Sequence, residues 1–313
     1  MKQKTFPLPR LREIFGDALQ ENAVLANYTT ARVGGPADAL LPVHTAAELE
    51  RAATELWELD VPFVILGSGS NVLVSDSGYH GVVVVNRARN HKIDLHKEPP
   101  TVWAESGANI GTIARQAALR GLSGMEWAAT VPGTLGGAVV GNAGAHGGDM
   151  AGSLVLAEIL HPDTGRETWP VERMQYAYRS SALKSGSAPR RPVVLSARMK
   201  LNQSTPSEVQ ARMEEFTLQR RGTQPNGASL GSMFKNPPGD YAGRLIEAAG
   251  LKGKNHGGAH ISAQHANFFI NNERATAADI GALIALARQT VEKKFGVRLE
   301  LEVELIGDWP ELN

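Results

Sequence analysis

Between Thr130 and Met150 the chain carries seven glycines, at 133, 136, 137, 141, 144, 147 and 148. Each ordered glycine costs about 0.5–1 kcal/mol of backbone entropy relative to alanine. A globular domain tolerates such a run where something must lie against bare main chain. The interleaved Val131, Leu135, Val139 and Val140 argue for a buried stretch and against a mobile loop. The glycines are spaced too closely for a regular helix or strand to run far between them. A second cluster, Gly67-Ser-Gly-Ser-Asn71, follows the apolar run Val61–Leu66. There, glycine lets backbone N–H groups approach an anion, and Ser68, Ser70 and Asn71 add side-chain donors. Taken alone it is equally a tight turn. Two such stretches on one chain favour dinucleotide binding. Neither contains Gly-x-Gly-x-x-Gly, and no Gly-x-x-x-x-Gly-Lys-Ser/Thr occurs, so Rossmann and P-loop sites are excluded.

Any anion bound here must be held by local geometry, because 32 basic and 32 acidic residues cancel. That balance gives no electrostatic case for nucleic acid or a membrane surface as partner. The absence of cysteine removes disulfides, thiolate metal sites and cysteine nucleophiles together, and fits a cytoplasmic setting. The basic start is followed by charged residues, so a secretory signal is not expected. No apolar run approaches the roughly 20 residues of a membrane span.

The 313 residues suit about two to three domains at roughly 100–200 residues each. Residues 1–24 read as a helical lead-in without chemistry, and Arg32–Pro36 as a tight turn. Thr45 opens a helix, with Glu48 as the partner of a capping box. Strands are expected at Val61–Leu66, Val82–Val85, Val102–Glu105, Leu154–His161 and Val193–Leu201, with a helix at Ile110–Arg120. Met174 to Arg190 is polar and suits a surface loop over the site. After a composition shift at Asn202–Pro206 come helices at Glu208–Arg221, Tyr241–Ala249 and Thr276–Lys294, and strands at Ser262–Asn271 and Val297–Ile306. No repeat of solenoid length occurs. The order points to α+β domains, with 1–24 an extension and further parts at 25–88, 89–205 and 206–313.

Two later motifs carry polar groups. In Gly231-Ser-Met-Phe-Lys-Asn-Pro237 a serine stands near a lysine and an asparagine, a proton donor beside an anion clamp or simply a polar turn. Gly-x-Ser-x-Gly is absent, so Ser232 has little support as a nucleophile. In Leu299-Glu-Leu-Glu-Val-Glu-Leu305, period two sends Leu299, Leu301, Val303 and Leu305 to the core and Glu300, Glu302 and Glu304 to the other face. Spacing alone does not say which glutamate matters. His256 and His260 fail as metal ligands, because Gly257 and Gly258 disfavour the helix that would align them.

Taken together these segments resemble the UDP-N-acetylenolpyruvoylglucosamine reductase (MurB) family over about Asn27 to Gly307. The carrying blocks are Thr29–Ala37, Leu66–Leu73, Val131–Gly147, Tyr178–Ser181, Gly231–Pro237, Ala242–Gly253, His265-Ala-Asn-Phe268 and Leu299–Gly307. The short 178–192 loop and the connection after Leu251 match the compact type. Ala31 stands where phenylalanine is expected, and Gly141 where a bulkier residue is common.

The resemblance implies a two-part FAD-binding domain of the vanillyl-alcohol-oxidase-like flavin fold, followed by a C-terminal α+β substrate-binding domain. It implies non-covalent FAD across Gly67, Ser68, Gly69, Ser70, Asn71, Pro132, Gly133, Thr134, Gly136 and Gly137, with Asn142 and Gly147 nearby. NADPH reduces the flavin, which then gives hydride to UDP-N-acetylenolpyruvoylglucosamine, forming UDP-N-acetylmuramate. That chemistry needs a cation near the substrate carboxylate and an acid at the second carbon. Matched residue by residue, Arg179 with Glu302 takes the first task and Ser232 donates the proton. Lys235 and Asn236 become candidates for substrate phosphate or carboxylate, and Tyr178 for the pocket wall. No metal and no obligate protein partner are implied. Two alternatives differ in class: another FAD oxidoreductase of the same fold acting on an alcohol or lactone, and a non-catalytic nucleotide-sugar-binding protein, colourless when purified.

Overall fold

The computed structural model describes residues 6–184, 190–272, 274–310 and 312. The chain forms two compact units from interleaved stretches. The first comprises Met1–Leu19, Leu41–Gly67 and Val83–Arg220, and the second Gln20–Leu40, Ser68–Val82 and Arg221–Asn313.

The first unit is built on a five-stranded antiparallel sheet in the order Gly165–Pro170, Leu154–His161, Val193–Lys200, Thr101–Glu105, His91–Asp94. One face buries Val102, Ala104, Ala157, Ile159, Ala197 and Met199 with Ile113, Leu135 and Val139 from helices. The three expected strands lie at the middle of this sheet. The two outer ones escape sequence reading because edge strands such as Gly-Arg-Glu-Thr-Trp-Pro show little apolar alternation. Thr45 caps the Ala46–Glu58 helix by accepting the Glu48 N–H at 3.1 Å. The Glu48 carboxylate takes the N–H of His44 at 2.7 Å, one residue before the cap.

Three expectations need correction in this unit. The glycine run does contain a helix, Leu135–Gly141, because Leu135, Ala138 and Val139 bury one face of it. Met174–Lys184 is a loop only partly at the surface: Tyr178 is exposed, but Met174, Ser181 and Leu183 are buried, and the Ser181 hydroxyl donates to the Val140 carbonyl at 2.6 Å. The rest of that expected loop, residues 185–189, lies outside the described residues. Among its described residues the lead-in is helical only at Leu8–Phe15 and the short turn after it. Gln20–Val24, within the stretch read as helical, is a strand of the second unit, paired antiparallel with Pro36–Leu40.

The second unit packs the helix Ala277–Phe295 against a three-stranded sheet of Asn255–His256, Ala259–Ile261 and Phe269–Asn271. The helix starts at a capping box of Thr276 and Asp279 and ends at Gly296 in the left-handed conformation, as its sequence predicts. Asp76 receives the N–H groups of Ala277 and Ala278, both at 2.8 Å, at the same helix start. Ala31 is fully buried in a core with Leu73, Leu230, Phe234 and Phe269. Its carbonyl accepts from the Asn271 side chain at 2.8 Å.

Two expected strands are broken here. Ser262–Asn271 turns back on itself: Ser262 donates its N–H to the Phe268 carbonyl at 2.9 Å, and the Ser262 hydroxyl oxygen accepts from the N–H groups of Gln264 and His265. Such local side-chain bonds compete with an extended ladder. Val297–Ile306 forms a continuous ladder only at Glu304–Ile306, which runs parallel to Val72–Val74, with one isolated bridge at Leu301. Leu299 and Val303 are buried as period two requires, but Glu302 lies at a bend, where its N–H turns to the Met233 carbonyl at 2.9 Å.

Candidate active site

In the second unit Ser232, Met233 and Phe234 form an extended stretch bonded along both edges. On one edge Ser232 bridges Phe268, and the Met233 N–H donates to the Asn267 carbonyl at 2.8 Å. On the other edge Met233 accepts from Glu302, Phe234 bridges Leu301, and the Lys235 N–H donates to the Glu300 carbonyl at 2.9 Å. Met233 and Phe234 are completely buried, whereas Ser232 and Glu302 are half-buried. Glu302, 70 positions after Ser232 in sequence, is therefore bonded to Met233, the residue that follows Ser232. Of the three glutamates in the row, Glu300 is exposed, and its carboxylate lies 3.3 Å from the Lys235 ammonium.

Asn71 attaches the first glycine cluster to this arrangement. Its side-chain amide donates to the Glu302 carbonyl at 3.1 Å, and its own carbonyl accepts from the Glu304 N–H at 3.0 Å. Two residues earlier the Gly69 carbonyl accepts from the Thr30 N–H at 3.0 Å, and the Thr30 hydroxyl donates to Ser229 at 2.6 Å. A Cβ on Gly69 would collide with the main chain of Tyr28 and Thr29, so glycine is required by the fold itself. Ser68 is exposed and Ser70 half-buried. The Asn236 side-chain oxygen accepts from the first N–H of the Ala242–Ala248 helix at 3.1 Å. Asn236 thus has a structural duty that sequence reading did not foresee.

In the first unit Gly67 touches the second glycine-rich stretch directly. A Cβ there would lie 2.9 Å from Thr134 Cγ2, and nearer still to its hydroxyl. Gly133 adopts a φ of 134° that favours glycine, and its carbonyl accepts from the Ile110 N–H and the Asn109 side chain, both at 3.3 Å. Gly136 serves as space, not as donor: its N–H is committed to the Ser106 carbonyl at 2.7 Å. Gly137 and Gly147 have more room. A Cβ on Gly137 would meet Thr134 at 3.7 Å, and one on Gly147 nothing within 4 Å.

The chemistry of each loop by itself suits a phosphate group. In both, the carbonyls of Gly69, Asn71 and Gly133 are turned into the protein and occupied by internal donors. Carbonyl oxygens that would repel a phosphate are thereby withdrawn from the loop surface, and close backbone approach is kept.

Arg179 occupies a tight turn of the first unit. Ala177 and Ser180 exchange backbone hydrogen bonds, and Arg179 has a φ of 54°, rare for a side-chain-bearing residue. Strained backbone of this kind concentrates at functional sites. Its guanidinium donates to the carbonyls of Gly144 at 2.9 Å and Asn142 at 3.4 Å, and stacks 5.1 Å from the ring of Tyr178, which is exposed. Asn142, nearly fully buried, ends the Leu135–Gly141 helix in the left-handed conformation. Its side chain accepts from the Ala151 N–H and donates to the Ala177 carbonyl, both at 3.0 Å. It anchors the Arg179 turn. Burial pushes the phenol of neighbouring Tyr176 above its ordinary range, aided by Asp149, and its hydroxyl donates to Val139 at 2.9 Å.

Three residues at the site escaped sequence reading: Thr30, Asn109 and Asn267. Asn267 lies within a recognised block, but its partners are 33 positions away and no local pattern points to them. Among the described residues no group of three His, Cys, Asp or Glu could hold a metal ion, and no helix is long and apolar enough to cross a membrane.

Residues 37–162 match the family described as FAD binding domain, and residues 224–306 that described as UDP-N-acetylenolpyruvoylglucosamine reductase, C-terminal domain. The UDP-N-acetylenolpyruvoylglucosamine reductase of Chloroflexus aggregans is 43% identical, over 95% of this chain and 100% of its own. That of Geobacillus kaustophilus is 38% identical, over 96% and 97%. The crystal structure of the Thermus caldophilus enzyme superposes with a TM-score of 0.77 at 38% identity, covering 91% of this chain and 98% of that one.

Proposed function

The chain belongs to the UDP-N-acetylenolpyruvoylglucosamine reductase family, and from that premise we propose that Ser232, Glu302 and Arg179 act on the enolpyruvyl group of its substrate. The reaction is the NADPH-dependent reduction of UDP-N-acetylenolpyruvoylglucosamine to UDP-N-acetylmuramate, a step of peptidoglycan precursor synthesis. FAD, when bound, would supply the hydride chemistry between NADPH and the enolpyruvyl double bond. Gly67–Asn71 and Pro132–Gly137 would hold its diphosphate, with Asn142 and Gly147 shaping the adjoining wall.

Hydride addition leaves negative charge on the second carbon and the carboxylate beside it. A fixed cation stabilises such charge best when its own position is already set. Arg179 meets that requirement through its bonds to Asn142 and Gly144, and Glu302 would share the task only through a hydrogen bond donated by its acid O–H, since a carboxylate would repel the charge. Ser232 completes the reaction. Its O–H bond breaks as the new C–H bond forms, the enolate electron pair makes that bond, and the alkoxide recovers a proton from water. Lys235, Asn236 and Tyr178 would contact the remainder of the substrate. By function we divide the chain into cofactor-binding parts at 25–88 and 89–205 and a substrate-binding part at 206–313. Cytoplasmic action without a nucleic-acid, membrane or obligate protein partner is part of the same proposal, supported by the chemistry of a nucleotide sugar and NADPH.

The observation that supports this reading is the pairing of the Ser232–Phe234 stretch with Phe268 on one edge and with Leu301 and Glu302 on the other. In stopped-flow experiments Ser232→Ala should leave flavin reduction by NADPH intact and slow reoxidation by the enolpyruvyl sugar by about 10²–10⁴-fold. Equal losses in the two half-reactions reject the proton-donor role. Glu302→Gln should show the same asymmetry, and wild-type turnover in it removes Glu302 from the mechanism.

A further inference from the structure

The His265-Ala-Asn-Phe268 block has no part in the chemistry above, yet Asn267 is built into the site. It is 2% exposed, and both ends of its side chain are engaged. The amide nitrogen donates to the Phe234 carbonyl at 2.8 Å, and the amide oxygen accepts from the Phe234 N–H at 2.9 Å. The Asn267 main-chain carbonyl takes the Met233 N–H at 2.8 Å. One residue therefore makes three bonds to the two residues that directly follow Ser232. Its side chain acts as one more peptide of a sheet.

The turn carrying it is braced as well. Besides the Ser262 bonds, the Asn267 N–H donates to His265 Nδ1 at 3.2 Å, and the Phe268 N–H donates to the His265 carbonyl at 3.0 Å. A serine hydroxyl has one rotatable bond between its oxygen and the main chain, so the place of Ser232 Oγ follows its backbone. A misplacement of about 1 Å in a reacting group can lower a rate about 10²-fold.

We infer that Asn267 is the positioning residue for Ser232, holding its peptide so that the hydroxyl meets the substrate carbon. The inference rests on the reading of Ser232 as proton donor. Phe234 is fully buried, so no solvent replaces the two bonds when the amide is removed. An aspartate at 267 keeps the acceptor for the Phe234 N–H. It places a second acceptor against the Phe234 carbonyl unless it is protonated, when the acid O–H can donate as the amide did.

The test compares Asn267→Asp and Asn267→Ala with Ser232→Ala and wild type, each as the FAD-loaded enzyme. At neutral pH both Asn267 variants should slow flavin reoxidation by the enolpyruvyl sugar by about 10²-fold. Reduction by NADPH, the FAD dissociation constant and the substrate KM should stay near wild type. The solvent deuterium isotope effect on reoxidation should rise, since proton delivery becomes the slower event. Relative to wild type at the same pH, Asn267→Asp should recover as pH is lowered, and Asn267→Ala should not. Should Asn267→Ala fail to fold, the pH recovery of Asn267→Asp still decides. Wild-type reoxidation in both variants while Ser232→Ala is slow overturns the positioning role and spares the proton-donor reading. Parallel loss of FAD and of both half-reactions, without pH recovery, makes Asn267 a general support and overturns it too. A fast Ser232→Ala variant sinks the underlying reading itself.

Discussion

The side-chain amide of Asn71 donates to the main-chain carbonyl of Glu302 at 3.1 Å, tying the last residue of a glycine-rich loop to the peptide of a proposed active-site carboxylate. A loop proposed for the cofactor and a segment proposed for the substrate are thus hydrogen-bonded to each other. Asn71→Ala should destabilise the protein by about 1 kcal/mol, the usual loss for a single hydrogen bond. Its functional signature should be distinctive. FAD should dissociate more readily, as read from flavin fluorescence on dilution, and reoxidation by substrate should slow in the same variant. Unchanged FAD affinity with unchanged reoxidation would mean that the Asn71 bond joins nothing of functional consequence.

The two glycines of the first cluster are required for different reasons, and double variants separate them. A Cβ on Gly67 collides with a side chain, Thr134, whereas one on Gly69 collides with the main chain of Tyr28 and Thr29 at a φ of 63°. Gly67→Ala should weaken FAD retention and lower stability, and adding Thr134→Ala should recover part of both. The recovery is incomplete because Thr134 Cβ itself would remain 3.2 Å from the new carbon. Gly69→Ala meets backbone and an unfavourable φ, so Thr134→Ala should not help it. Urea unfolding of the two glycine variants, Thr134→Ala alone and the two double variants gives the coupling energies. Equal rescue in both backgrounds would show that Gly67 and Thr134 are not in specific contact.

How far the sequence exposed all this depended on the range of each interaction. The Ala277–Phe295 helix was legible at both ends, because its capping box and Gly296 are local signals. So were the three central strands of the large sheet, whose apolar runs are buried on the sheet's inner face. The last strand was legible in its buried residues, Leu299 and Val303, but not in its break. Period two continues unbroken through Glu302, where the chain bends and is bonded to the distant Met233 and Asn71. The turn inside Ser262–Asn271 was masked by Phe268, Phe269 and Ile270, an apolar run that suits a strand. Ser232 and Glu302 became candidates only through family resemblance. The segments that carry them are bonded by Asn267 and Asn71, whose partners lie 33 and 231 positions away. No local propensity encodes contacts of that range.

His265 makes the turn behind Ser232 sensitive to acid. Its ring nitrogen Nδ1 accepts the Asn267 N–H at 3.2 Å, which requires the neutral imidazole. Burial pushes its pKa below the ordinary value of 6.5; Lys252 pushes in the same direction, while a backbone hydrogen bond and Glu247 oppose it. A histidine whose folded pKa is depressed binds its proton more readily when unfolded, so stability rises with pH across the window between the two values. His265 should therefore contribute fully above about pH 6.5, and its contribution should be lost as pH falls from there through the lowered folded value. Urea unfolding of wild type and His265→Gln between pH 7.5 and about pH 5 measures this directly. Wild type should lose stability more steeply than the variant over that range, and substrate reoxidation should slow in parallel because the same turn carries Asn267. Identical slopes in the two proteins would remove His265 as the source of the acid sensitivity.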